Sequence, residues 1–580
     1  MAITRRGAML GGAAAAALGA GALAWYRNRP PAPRPRADFA AGSGLNVLFV
    51  LTDQERAWDM LPAGFIETHC PGRVKLAEMS VGYSDANTPI QLCSMARGVV
   101  YTGVHAQNNG VWENVPVPTA SDLSPSIPTL GTLMQDAGYR TGYAGKWHLS
   151  KLHPRNVPLP EAEVNRIIRS YGFDESETRW ERDGTNVGHE EDGLTVEESL
   201  RFIHRNKRGP RGEGQPWFLA VNLLNPHDVM YYTSGPEMTQ TRVTTFPDPS
   251  TRPPDTPLYQ TDLGYDLFGA SYNRADFDNR PEAVRNYDRS YSKSMGRIDF
   301  GDADVGRDYQ NYYYNCLRDC DRHLLALLEG LEASGEADRT IIVFTSDHGE
   351  FLGAHALKGK GLTSYREGSQ VPLYVSHPDM RGGTGGGGRM RRALASHVDI
   401  APTLLGLAGV DALAVANQMP QLKGYDLSPV VDGSSSGTRR DSEGMLTYWT
   451  SLIFLDPNGP ELFADALEKK GLAQKAAQIS AVRKVDWDTR GQMRGIYDGR
   501  WKLSRYFAPS DHHTPDSLDA LRARNDLELY DTQADPDETT NLAALDIHAE
   551  TIAQLNRRMN TLIATEVGED SGNYIPMFAR

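Results

Sequence analysis

Three unbroken apolar runs of strand length punctuate the chain: Asn46–Leu51 (NVLFVL), Trp217–Leu224 (WFLAVNLL) and Thr340–Phe344 (TIIVF). Continuous apolar runs mark strands buried on both faces of a parallel sheet. Val371–Val375 reads as a further strand, and Gly138–His148 as a short strand breaking at Gly145, with Lys146 and His148 on one side of it. Helical spacing links Tyr313, Cys316, Leu317, Cys320, Leu324, Leu327, Leu328 and Leu331 and predicts a long helix around Asp308–Leu331. Pro128–Ala137 reads as a helix with proline in its first turn, and His397-Val398-Asp399 opens another that ends near Gly409. Beyond about residue 485 the pattern changes to a hairpin, Arg494–Leu503, turning at Asp498-Gly499, then a strand, Glu528–Asp531, and a terminal helix, Ile547–Thr565. The fold class is therefore α/β: a large, mostly parallel sheet flanked by helices, with a small C-terminal antiparallel sheet plus helix. The expected divisions are a leader and linker at 1–43, a main domain at 44–485 and a C-terminal subdomain at 486–580.

The leader stands apart from this pattern. Thr4-Arg5-Arg6-Gly7-Ala8-Met9-Leu10 carries a twin arginine ahead of an Ala/Gly-rich run to Ala24. This predicts a twin-arginine export signal with a cleavage site at Ala22-Leu23-Ala24, and hence a periplasmic or secreted protein. The alternative is an uncleaved membrane anchor, with Trp25-Tyr26-Arg27 at the interface. Pro30–Arg36 is an extended linker. The formal charge is −14, and residues 1–43 hold six arginines against one aspartate, so the rest of the chain is more acidic still. That excludes nucleic acid as a partner and requires a local cationic pocket for any anionic substrate. The four cysteines, Cys70, Cys93, Cys316 and Cys320, are too few for a disulfide scaffold.

Polar clusters sit where the apolar runs end. Asp53-Gln54 follows the first, Pro226-His227-Asp228 the second and Asp347-His348 the third, the positions at which open α/β sheets place ligands. The carboxylates of Asp53 and Asp347 suit Ca²⁺, Mg²⁺ or Mn²⁺, and the His348 nitrogen shifts some weight to Mn²⁺. In Leu92–Gly103 (LCSMARGVVYTG), Cys93 stands four residues before Arg97. A helix starting there puts Cys93 at the positive end of the dipole and Arg97 one turn on along the same face. Arg97, Lys146, His148, His227 and Lys360 then form a basic, proton-transferring ring suited to a tetrahedral oxyanion.

These motifs resemble the formylglycine-dependent (type I) sulfatases of the alkaline phosphatase superfamily. The resemblance runs from about Asn46 to Leu542. It is carried by Gly138–His148, Thr345–Leu352 (TSDHGEFL), Gly359-Lys360-Gly361, Ser396–Leu404 and Glu528–Leu542. It implies an alkaline phosphatase-like fold and hydrolysis of a sulfate ester to alcohol and inorganic sulfate. It implies Asp53, Gln54, Asp347 and His348 as metal ligands, completed by Cys93, and as a sulfate-ester hydrolase the chain would take Ca²⁺. Cys93 becomes formylglycine through the formylglycine-generating enzyme; its hydrate attacks sulfur, and the covalent hemisulfate collapses to sulfate and aldehyde. Arg97 and Lys146 hold the hydrate and sulfate, His148 deprotonates the hydrate, His227 and Lys360 contact sulfate and leaving group, and Asn114 lines the pocket. The twin-arginine translocase would then export the folded product. Met95 and Ala96 stand where the C-x-P-S-R modification motif carries Pro and Ser. Asp53-Gln54 with Asp347-His348 is similar to the choline-sulfatase and phosphonate-monoester-hydrolase branch, whereas Gly145–His148 is the sulfatase form. A phosphonate monoester or phosphate diester hydrolase is the second reading, and a non-catalytic sulfatase-like binding protein the third. The substrate is expected to be a small-molecule or saccharide sulfate ester, selected by Met230–Asp308 and Thr447–Asp486.

Overall fold

The computed structural model describes residues 36–39, 42–115, 117, 120–152, 159–176, 186–209, 213–234, 252–269, 271–272, 277–381, 387–469, 471–570 and 572. The predicted export signal and nearly all of the linker lie outside the described residues, as do parts of the Met230–Asp308 excursion. Eight strands form the main sheet: β1 (Asn46–Asp53), β2 (Val81–Asn87), β3 (Arg140–Gly145), β4 (Glu175–Ser176), β5 (Trp217–Pro226), β6 (Thr340–Ser346), β7 (Leu373–Ser376) and β8 (Arg389–Ser396). Their order is β4-β3-β5-β1-β6-β7-β2-β8. Only β7 runs against its neighbours, pairing antiparallel with β6 and with β2.

All eight residues of β1 are buried. Alternate side chains enter different cores, because successive strand residues face opposite sides of a sheet. Val47, Phe49 and Leu51 join the larger core, with Val99 and Val100 of the Cys93–Thr102 helix and Leu404 of the Ile400–Leu407 helix. Leu48 and Val50 face the other side, with Phe202 of the Val187–Arg205 helix and Leu324, Leu327 and Leu331 of the Ala303–Ser334 helix. Helices thus cover both faces of the sheet. Cys316 and Cys320 are buried in the long helix, in agreement with the packing role read from their spacing. The predicted Pro128–Ala137 helix spans Leu130–Asp136, because Thr129 and Thr132 form a capping box that fixes the start after Pro128.

The small antiparallel sheet has the order β12-β11-β10-β9. Its strands β10 (Gln492–Tyr497), β11 (Trp501–Phe507) and β12 (Asp526–Asp531) contain the expected hairpin and strand. Its fourth strand, β9 (Met445–Trp449), comes from ahead of residue 486. The Ala549–Leu562 helix packs Ile552, Leu555, Met559 and Leu562 onto this sheet. Docking to the main sheet is ionic as well as apolar: buried Arg440 binds both oxygens of Asp399 at 2.6 and 2.8 Å and Glu566 at 3.0 Å. Among the described residues, no helix is long and apolar enough to cross a membrane.

A second buried arginine holds the end of β1. Arg73 grips both oxygens of Glu55 at 2.8 and 2.6 Å and Asp321 of the long helix at 2.9 Å. All three side chains are essentially inaccessible to solvent. Removing one member of such a buried network leaves uncompensated charge. Arg73→Ala is therefore expected to lower unfolding stability by about 3–5 kcal/mol, measured by urea titration; a loss within the scatter of surface substitutions would refute the bracing role.

Candidate active site

Strand register brings the site together. Thr52 of β1 lies opposite Ser346 of β6, and the Asp347 amide donates to the Thr52 carbonyl at 3.1 Å. Asp53 and Asp347 therefore leave adjacent parallel strands side by side. Asp53 also pairs with Pro226 at the end of β5, which places His227 on the same rim. The Cys93–Thr102 helix starts at Cys93 itself, and Leu92 before it offers no side-chain cap. The positive end of its dipole favours an incoming anion there.

Arg97 spans both carboxylates. Its Nε donates to Asp347 Oδ2 at 3.0 Å and its Nη2 to Asp53 Oδ2 at 3.1 Å. Its Nη1 donates to the Lys146 carbonyl at 2.9 Å and to Asn222 Oδ1 at 3.2 Å. Lys146 Nζ donates to Asp53 Oδ2 at 2.6 Å. The other oxygen of each carboxylate faces inward. His348 Nε2 lies 3.5 Å from Asp347 Oδ1, 3.9 Å from Asp53 Oδ1 and 3.3 Å from Cys93 Sγ. Cys93 Sγ is 3.8 Å from Asp53 Oδ1. Lys360 Nζ reaches Cys93 Sγ at 2.8 Å and Gln54 Oε1 at 2.7 Å.

The electrostatics follow from this arrangement. Burial opposes ionisation of Asp53, but Lys146, His227, Lys360 and Arg97 outweigh it and hold the carboxyl well below the usual range. Asp347 is pushed up to about 6 by burial and by the charge of Asp53. Burial drops His348 to about 4, with Lys360 adding to the effect. Burial, together with Lys146, also holds His227 well below its ordinary value. One donor each from Asp53, Cys93, Asp347 and His348 falls within a 4.8 Å cluster. Two inward carboxylate oxygens and an imidazole fit a hard or borderline divalent cation, whose charge would relieve the repulsion that raises Asp347.

The Sulfatase family profile matches residues 45–410. The chain belongs to the sulfatase family. It is 26% identical over 384 residues to the uncharacterized sulfatase YidJ of Escherichia coli, covering 63% of this chain and 68% of the relative. It is 25% identical over 414 residues to the choline-sulfatase of Rhizobium meliloti, covering 67% of this chain and 72% of that one. The phosphonate monoester hydrolase of Agrobacterium radiobacter shares the fold, with a TM-score of 0.59 at 20% identity over 90% of this chain and 96% of that one.

In this sulfatase the structure gathers Asp53, Gln54, Cys93, Arg97, Lys146, Asp347, His348 and Lys360 into one contact network, with His227 in the field of Lys146, Asp53, Lys360 and His148. Two expectations change in detail. The segment that carries Lys146 and His148 is not extended throughout, because β3 ends at Gly145 and His148 takes a left-handed φ of 57°, although both side chains act on His227. Asn114 Oδ1 accepts from the Ser94 amide at 3.0 Å, so that oxygen caps the helix carrying Cys93. Ser94 Oγ donates to the His148 carbonyl at 2.6 Å and holds that turn beside Cys93.

Two contributors were not singled out from the sequence. Asn222 was signalled only by a polar residue inside an apolar strand. Glu350 accepts from the Gln54 side-chain amide, from Tyr309 Oη at 2.8 Å and from the Gly359 amide at 2.8 Å. Its position within TSDHGEFL was visible, but its partners come from three distant segments.

Behind His348 lies His397, likewise buried and pushed down to about 3, by burial first and then by His348. Both imidazoles stay neutral in the folded chain below the pH at which the unfolded chain protonates them. Stability from this source is complete above about pH 6.5 and falls as pH drops toward 4, by up to about 1.4 kcal/mol per pH unit for each histidine. Urea titrations of the metal-depleted protein at successive pH values should show a shallower decline for His397→Gln; an unchanged slope would contradict the buried neutral state.

Proposed function

We propose that this sulfatase hydrolyses a small-molecule or saccharide sulfate ester, with Cys93 in its formylglycine form at the reacting position. The supporting observation is the placement of Cys93 Sγ at a helix start, with Lys360 Nζ at 2.8 Å, His348 Nε2 at 3.3 Å and Asp53 Oδ1 at 3.8 Å. A saccharide substrate draws support from a relative 25% identical over 425 residues, the N-acetylglucosamine-6-O-sulfatase of Bacteroides thetaiotaomicron. Asp53, Asp347 and His348, with Gln54 Oε1, would hold Ca²⁺, or Mn²⁺ or Mg²⁺. When bound, the ion supplies positive charge that polarises the sulfuryl group.

The chain's own residues do the rest. Arg97 holds the two carboxylates at fixed spacing. Lys146, buried against Asp53 and held protonated by it against the cost of burial, presents fixed positive charge to a sulfate oxygen. Lys360 carries an ammonium donor directly over the reacting atom and stabilises charge as the ester bond breaks. His227, uncharged at neutral pH, offers one ring N–H and one acceptor to the leaving oxygen. His148, whose backbone carbonyl accepts from Ser94 Oγ beside Cys93, would take the proton from the hydrated aldehyde. Export of the folded protein by the twin-arginine route completes this reading and rests on Arg5-Arg6 and the run to Ala24.

The second reading, a phosphonate monoester or phosphate diester hydrolase, is favoured by one observation. Met95 and Ala96, fully buried in the first turn of the helix, replace the Pro and Ser of the modification motif. Mass spectrometry of the Cys93 peptide from protein made in its native host should show the aldehyde in place of the thiol. Aryl sulfate turnover should exceed that of matched phosphonate and diester substrates, should be lost after chelation and restored by Ca²⁺, and should fall by at least about 10³-fold in Cys93→Ala. An intact thiol together with a diester preference would replace the sulfate reading with the second one.

A further inference from the structure

Lys360 stands between two glycines whose backbones are left-handed: φ is +77° at Gly359 and +146° at Gly361. Each lies directly beneath a tyrosine hydroxyl, Tyr291 over Gly359 and Tyr287 over Gly361, so that a methyl group on either glycine would overlap the phenol oxygen. Both tyrosines come from the Glu282–Met295 helix, four residues apart and hence on one face. Tyr287 Oη donates to the Lys360 carbonyl. From the opposite direction, the Gly359 amide donates to Glu350 Oε1 at 2.8 Å. The phenols are braced from behind. Tyr287 packs edge-on against Trp449 at 5.4 Å and 83° and near Phe454 at 5.6 Å, and Tyr291 packs on Phe454 at 5.8 Å. Trp449 is the last residue of β9, so part of this brace belongs to the small sheet.

We infer that Tyr287 and Tyr291 are positioning residues for Lys360. They clasp the flanking backbone so that the long, flexible lysine side chain starts from a fixed base and delivers Nζ to Cys93 and Gln54. A lysine ammonium is a point charge on four rotatable bonds, and its value at a reacting centre depends on where its stem is anchored. The inference rests on the reading of Lys360 as the cation at that centre. It also accounts for glycine on both sides of the lysine, since any side chain there would displace the clasp.

The test is a double-mutant cycle on aryl sulfate turnover by the metal-loaded, modified protein, with thermal unfolding recorded for every variant. Lys360→Ala, Tyr287→Phe and their combination are compared with wild type. Phenylalanine keeps the packing on Trp449 and Phe454 and removes only the hydroxyl. Tyr287→Phe is expected to lower kcat about tenfold with KM within about twofold, and to have no further effect in the Lys360→Ala background. Tyr291→Leu, which removes the ring that overlies Gly359, read in the same cycle, provides a second arm if Tyr287→Phe does not fold. A tyrosine loss that multiplies fully onto the Lys360→Ala loss overturns the clasp, as does wild-type kcat in both tyrosine variants while Lys360→Ala is impaired. Wild-type kcat in Lys360→Ala removes the role given to Lys360 and the clasp with it, which is a distinct result.

Discussion

Two aspartates, buried side by side, set the terms for everything around them. Asp53 and Asp347 end adjacent parallel strands with no access to solvent, where like charges repel strongly and an unpaired carboxylate costs several kcal/mol. Arg97 answers this with one planar guanidinium that reaches an outer oxygen of each. A lysine could not span both in this way, because its charge is a point and its donors share one atom. The outer oxygens are thus committed, and the inner ones face His348 and Cys93. Lys146 pairs directly with Asp53, and His227 and Lys360 also act on it, so the pair splits, with Asp53 held low and Asp347 raised. Positive charge is deficient on the Asp347 side, where the inward donors converge.

Support for this centre comes from unusually far along the chain. Arg73, itself anchored to Asp321, holds Glu55, two residues beyond Asp53. Asp228 accepts the Gly188 and His189 amides at 2.9 and 3.0 Å, tying the turn that bears His227 to the start of the Val187–Arg205 helix. Glu113, next to Asn114, accepts from Ser451 Oγ at 2.7 Å and from the Leu452 amide at 3.1 Å. Segments more than three hundred residues apart therefore meet at the rim. The small sheet is joined to the site by side chains and not merely attached to the main domain.

Much of this was legible from residue order. Continuous apolar runs located β1, β5 and β6, and a strand that ends abruptly in acids announces a ligand position without any tertiary information. Cys93 and Arg97 needed only the helix repeat. What could not be read depends on backbone conformation or on distant packing. The left-handed backbone at His148 ends an extended segment that strand alternation would have carried on. Asn114 caps a helix that lies twenty residues before it. No periodicity connects Tyr287 and Tyr291 to Gly359 and Gly361, because the helix that carries them lies inside a long polar excursion whose path the sequence does not encode locally. β9 was missed as part of the small sheet for a related reason: its partners lie beyond a pair of intervening helices.

The orientation of Gln54 has a chemical consequence of its own. Glu350 can only accept and Lys360 can only donate, so the amide has one arrangement: nitrogen toward the glutamate, oxygen toward the lysine and Cys93. A carboxylate at position 54 would turn one oxygen against Glu350 and add a third negative charge to the rim. The amide at 54 and the acid at 350 are therefore a matched pair, in which an uncharged oxygen is delivered to the centre with its direction fixed from behind. Glu350, behind the rim, thereby decides which end of the Gln54 amide the centre meets.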